Sequence, residues 1–115
     1  MVQKVPVGSA DLADIVLKDF LARIAAVRAQ ISRIVLFGSR ARGTHAFESD
    51  YDVLLAVKQK DDAMLDVLYE AVMDVLLLHG RLISLKIYPE EELARLKALQ
   101  TPFIQQVEKE GVPLG

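Results

Sequence analysis

Two short apolar runs, Ile34 to Phe37 and Tyr51 to Val57, constrain this chain more than any other feature. Gly38-Ser39 closes the first run, and Asp50-Tyr51-Asp52 opens the second. Both runs are short and rich in β-branched, aromatic or leucine residues, which reads as buried strand. A buried strand has no packing reason to begin with two carboxylates two residues apart. Alternate residues of a strand face the same side, so Asp50 and Asp52 would point together, about 6.5 Å apart. At an effective dielectric near 20 they would repel by about 2.5 kcal/mol. A hard divalent cation with oxygen ligands is the usual means of offsetting such repulsion.

The other end of the connection fits the same picture. A glycine directly after a buried strand lets the backbone turn sharply and approach a ligand closely. If Ser39 begins a helical turn, its N–H groups and hydroxyl face outward as a phosphate site. Arg40 and Arg42 follow and can clamp phosphate oxygens through charge-assisted hydrogen bonds. A phosphate cradle facing a carboxylate pair is the layout of a phosphoryl or nucleotidyl transfer site. The plainer alternative is a turn followed by a strand with a solvated acidic end.

The same segment resembles the minimal nucleotidyltransferase family, within the DNA polymerase beta-like superfamily. That family's signature is Gly-Ser, ten arbitrary residues, then Asp-x-Asp. Gly38-Ser39, the ten residues Arg40 to Ser49, and Asp50-Tyr51-Asp52 match it without a gap. The internal forms GSxARG and SDxD also match, through Gly38 to Gly43 and Ser49 to Asp52. The resemblance implies that Asp50 and Asp52 are the catalytic residues and bind Mg²⁺ (or Mn²⁺). It implies that Ser39 holds the β- or γ-phosphate of a nucleoside triphosphate, ATP before others. Gly38 would leave room for that phosphate, and Arg42 would touch it, with Arg40 at a more variable position. An acceptor hydroxyl would attack the α-phosphorus and pyrophosphate would leave. The resemblance further implies the antitoxin half of a two-protein module, transferring AMP to a hydroxyl of a helical HEPN-type toxin.

One departure from the family pattern keeps a second reading open. Members competent in transfer often carry a third carboxylate on the strand after the central helix. Here that strand, Gly80 to Tyr88, holds no acid, and Ser84 takes the corresponding place. A serine hydroxyl is a poor base and a poor Mg²⁺ ligand beside a carboxylate. The chain would then neutralise a helical partner by binding alone. A third reading, transfer to a small molecule of the aminoglycoside type, needs more chain to build an acceptor pocket. Arg40-x4-His45 also matches the R-x4-H pattern of HEPN ribonucleases. It lies between two strands, where that helical nuclease site could not form. Tyr51 and Phe47 are candidates for contact with a base, although strand packing explains Tyr51 equally well.

The 115 residues suit one domain, 1–115. A formal charge of −2 gives no basic field for nucleic acid. Without cysteine there is neither a disulfide framework nor a thiolate metal site, and the two histidines lack ligand spacing. Apolar runs such as Val75 to Leu78 are far too short to span a membrane, and no signal peptide is evident. A cytoplasmic protein is expected. A hydrophobic content of 52% and a mean hydropathy of +0.27 suggest apolar surface buried against a partner or a second copy.

Periodicity predicts one amphipathic helix over Ala10 to Gln30, capped by Ser9 with Asp11 and Asp14 in its first turns. A helix from Asp61 or Asp62 to His79 follows the second strand, apolar over more than one stripe and so covered on two sides. His79 would sit at its C-terminus, where a cation is favoured. Arg81 to Tyr88 reads as a third strand, and Pro89 opens a helix with Glu90, Glu91 and Glu92 at its positive end. Thr101-Pro102 starts a last helix, Phe103 to Lys109, ended by Gly111. The tail Val112 to Gly115 is untethered in sequence. This order predicts an α/β (α+β) fold with a small nucleotidyltransferase core, its mixed sheet of three or more strands packed against helices.

Overall fold

A computed structural model describes residues 14–43 and 50–115. The elements run α1 (Ile15–Arg23), a 3₁₀ turn (Ala25–Gln30), β1 (Ile31–Phe37), α2 (Ser39–Arg42), β2 (Tyr51–Val57) and α3 (Asp62–His79). They continue with β3 (Ile83–Pro89), α4 (Glu90–Leu99), α5 (Pro102–Glu110) and β4 (Val112–Pro113). The strands form one mixed sheet in the order β3-β2-β1-β4. β1 runs antiparallel to β2 and to β4, whereas β2 and β3 are parallel and joined through α3. The expected α+β architecture is therefore the observed one.

The two apolar runs lack polar alternation because β1 and β2 are the inner strands and both faces of the sheet are covered. Ile34, Leu36, Val53, Leu55 and Val57 pack with Leu17, Phe20 and Ile24 of α1 and its C-cap and with Met64, Leu68 and Val75 of α3. On the other face Val35, Leu54 and Ala56 meet Leu93 of α4 and Ile104 and Val107 of α5. The strand phase is thus fixed by what lies above and below it, and a slip of one residue would exchange the two cores. Asp52, alternating with Tyr51 and Val53, falls on the α4–α5 face.

Three boundaries differ from the sequence reading. The first helix is capped by Asp14, whose Oδ1 accepts from the backbone of Val16 at 2.7 Å and Leu17 at 3.4 Å. Ser9 and the leader lie outside the described residues. This helix ends at Arg23 rather than Gln30, and the chain then tightens into the 3₁₀ turn, a common way for a helix to end. The spacing of Phe20, Ile24, Val27 and Ile31 keeps each buried throughout, so periodicity alone could not mark the change. β1 begins at Ile31, with an irregularity in pairing between Ile31 and Arg33 that accommodates the polar Ser32.

The tail is tethered. Val112 and Pro113 pair with Leu36 and Val35, Leu114 N–H donates to the Ile34 carbonyl at 2.8 Å, and the Leu114 side chain is buried. Along α3, Met64, Leu68, Ala71 and Val75 are buried. The second stripe, Tyr69, Met73 and Leu77, is 55%, 52% and 76% exposed, so among the described residues α3 is covered on one side only.

Candidate active site

Because β1 and β2 are antiparallel, the end of the first run and the beginning of the second meet at one edge of the core. Phe37 and Asp52 are register partners, so Gly38 leaves the sheet directly beside Asp52. Gly38 has φ 80° and ψ −158°, a region that essentially only glycine occupies. A β-carbon at this position would lie 2.5 Å from Asp52 Oδ2. Glycine is therefore required twice, by the backbone turn and by the close approach of a carboxylate. Ser39, half-buried, opens the single turn of α2, which Gly43 ends in the left-handed region.

Asp50 stands one residue before β2 and is exposed, while Asp52 is half-buried. On the neighbouring parallel strand the register partner of Asp52 is Ser84, also half-buried. No acid occurs within β3. Among the described residues no group of three or more His, Cys, Asp or Glu side chains is placed to hold a metal ion. A pair of carboxylates suits a cation that takes its other ligands from phosphate oxygens and water, as Mg²⁺ commonly does.

Arg40, in the same turn as Ser39, packs against Tyr51. Its guanidinium carbon sits 3.9 Å from the centroid of the Tyr51 ring, and its Nη1 lies 3.9 Å from Asp14 Oδ2. The Tyr51 hydroxyl donates to that same Asp14 oxygen at 2.6 Å. Tyr51 packs in the helical core on the α1–α3 side, on the opposite face of β2 from Asp52. Burial, followed by the bond to Asp14, pushes the Tyr51 phenol above its ordinary value. Tyr51 is only 2% exposed, so packing rather than base contact accounts for it. The Asp14–Tyr51 contact gave no signal in the sequence beyond a helix-start acid and a residue between two aspartates.

His79 closes α3 against Asp19 of α1, with Nε2 2.9 Å from Asp19 Oδ2. Arg42 contributes its backbone to α2. His45, Phe47 and Ser49 lie outside the described residues. No helix among the described residues is long and apolar enough to cross a membrane.

A family model described as polymerase beta, nucleotidyltransferase, matches residues 20–114, a span that holds Gly38-Ser39, Asp50, Asp52 and Ser84. The chain belongs to the polymerase beta nucleotidyltransferase family. Two relatives of this nucleotidyltransferase in Methanocaldococcus jannaschii bear the name "putative protein adenylyltransferase". One is 33% identical over 99 residues, covering 84% of this chain and 93% of the relative. The other is 36% identical over 84 residues, covering 73% and 78%. Among solved structures, a "putative nucleotidyltransferase from Sulfolobus solfataricus" superposes with a TM-score of 0.53 at 19% identity, covering 98% of this chain and 90% of that one. A structure described as a "toxin-antitoxin with AMP-PNP" gives a TM-score of 0.53 at 19% identity, covering 85% and 72%. These two likenesses speak to the fold, while the family match makes this chain a nucleotidyltransferase.

Proposed function

We propose that this nucleotidyltransferase transfers AMP from ATP to a hydroxyl of a helical, HEPN-type toxin and so acts as its antitoxin. The observation that carries the reading is the approach of Gly38 to Asp52. The missing side chain lets the Asp52 carboxylate lie directly against the turn that begins at Ser39. Ser39 would donate to a β- or γ-phosphate oxygen, and Arg42 would add charge to the same phosphates. Mg²⁺ (or Mn²⁺) held by Asp50 and Asp52 would offset the triphosphate charge and align the α-phosphorus. The acceptor oxygen forms its bond to the α-phosphorus as the bond to pyrophosphate breaks. Ser84, beside Asp52 on β3, is too weak a base to take the acceptor proton, which would pass to water or to a phosphate oxygen. The names of the two archaeal relatives support adenylyl transfer to protein. The exposed row Tyr69, Met73 and Leu77 supports a protein partner, and the cytoplasm supplies the nucleotide.

The serine at position 84 favours a second reading, neutralisation by binding with little or no transfer. Incubating the protein with Mg²⁺, α-labelled ATP and a purified HEPN-type toxin separates the two. Label on the toxin, absent with an Asp50→Asn, Asp52→Asn double variant, is the expected result. Neutralisation that survives in the double variant without label would overturn transfer in favour of occlusion.

A further inference from the structure

Arg40 directly follows Ser39, and Tyr51 stands between Asp50 and Asp52. Contact between these two side chains therefore joins the turn that would hold phosphate to the strand step that carries both carboxylates. The turn needs such a tie. α2 has only four residues and is bounded by two positive-φ glycines, Gly38 and Gly43, and a helix this short is not stable by its own hydrogen bonds. Arg40 is nonetheless 5% exposed, held over the Tyr51 ring, with Asp14 reaching both partners from the cap of α1. Three elements distant in sequence are thereby locked on the back of the catalytic strand. Tyr51 is fixed from a further side, where its backbone N–H donates to the Leu82 carbonyl ahead of β3 at 3.0 Å.

We infer that Arg40 is a positioning residue, which through Tyr51 and Asp14 sets the separation between the Ser39 turn and the Asp50–Asp52 pair. In this role it would act through Tyr51 and Asp14 rather than by contact with substrate or metal. Its planar guanidinium suits the task, since it can lie on a ring and face a carboxylate at once, which a lysine ammonium does less well. This inference rests on the transfer reading of the site.

The test is calorimetric binding of AMP-PNP with Mg²⁺ to the full chain, alongside thermal unfolding. Arg40→Gln should weaken binding about tenfold, the scale of one lost cation–π or charge-assisted contact. Arg40→Lys should recover part of that loss. Tyr51→Phe, which keeps the ring and loses the bond to Asp14, should weaken binding less than Arg40→Gln. The Arg40→Gln, Tyr51→Leu double variant should lose little more than the worse single variant, because the residues act as one unit. Should Arg40→Gln fail to fold, the comparison of Arg40→Lys and Tyr51→Phe with wild type decides. Folded variants that bind nucleotide as wild type does, even with a lowered melting temperature, would reduce Arg40 to a packing residue and overturn the inference alone. A wild-type protein that binds no nucleotide would overturn the transfer reading, and this inference with it.

Discussion

Substituting Gly38→Ala adds one methyl group at the most constrained point of the molecule, and the structure gives both its costs. The first is conformational. At φ 80° and ψ −158°, an L-residue carries about 1–3 kcal/mol of backbone strain. The second is steric, since the new β-carbon would start 2.5 Å from Asp52 Oδ2 and 3.3 Å from its Cγ. Ordinary contact would require the carboxylate or the turn to retreat by about 1 Å, and misplacement on that scale can cost about a hundredfold in rate. The strain is smaller than the roughly 5–15 kcal/mol that holds a domain folded, so the variant should fold. Denaturant unfolding should show a loss of about 1–3 kcal/mol. AMP transfer should fall about a hundredfold. Adding Asp52→Ala removes the obstructing carboxylate and should return part of the stability but none of the activity. Transfer by Gly38→Ala within twofold of wild type would show that the close approach of Gly38 and Asp52 has no part in the chemistry.

Three further outcomes follow from the structure. Ser84→Asp places a carboxylate beside Asp52 and should raise the transfer rate at least about tenfold if a base is what β3 lacks; single-turnover kinetics with the toxin acceptor measures this. Leu114→Ala empties a fully buried site and should cost about 2–4 kcal/mol in urea unfolding. Stability should also fall with acid: the His79 bond, then Arg23, holds Asp19 below the usual carboxylate range, and Arg33, aided by Lys97, does the same for Glu108. Their folded-state values lie below the unfolded ones, so this stabilisation is complete above the unfolded values and lost as pH drops below about 4.5. Denaturation midpoints for Asp19→Asn and Glu108→Gln should depend less on pH in that window than wild type.

The sequence revealed the sheet face of each β2 residue because the chemistry at its start allows only one phase. Tyr51, Val53, Leu55 and Val57 enter one core while Leu54 and Ala56 enter the other, as period-two alternation requires. The same logic placed Ser84 on the face that it shares with Asp52. The tail was illegible for a complementary reason. Val112-Pro113-Leu114 is too short for alternation, and its pairing depends on an edge of β1 that only the assembled sheet presents. The exposed half of α3 was legible as apolar but not as uncovered, since a stripe in sequence does not say what lies against it.

Arg40 shows the limit most sharply. Read locally, an arginine next to a Gly-Ser turn belongs with the phosphates, because charge and proximity along the chain are all that sequence displays. Yet a short turn tied only to its ligand would be ordered only when the ligand is present, and its ordering cost would subtract from affinity. Burying Arg40 against Tyr51 and Asp14 moves that cost into folding, where the rest of the core meets it. On the inference drawn above, Arg40 then holds the turn that begins at Ser39 against the strand that carries Asp52 before any nucleotide arrives.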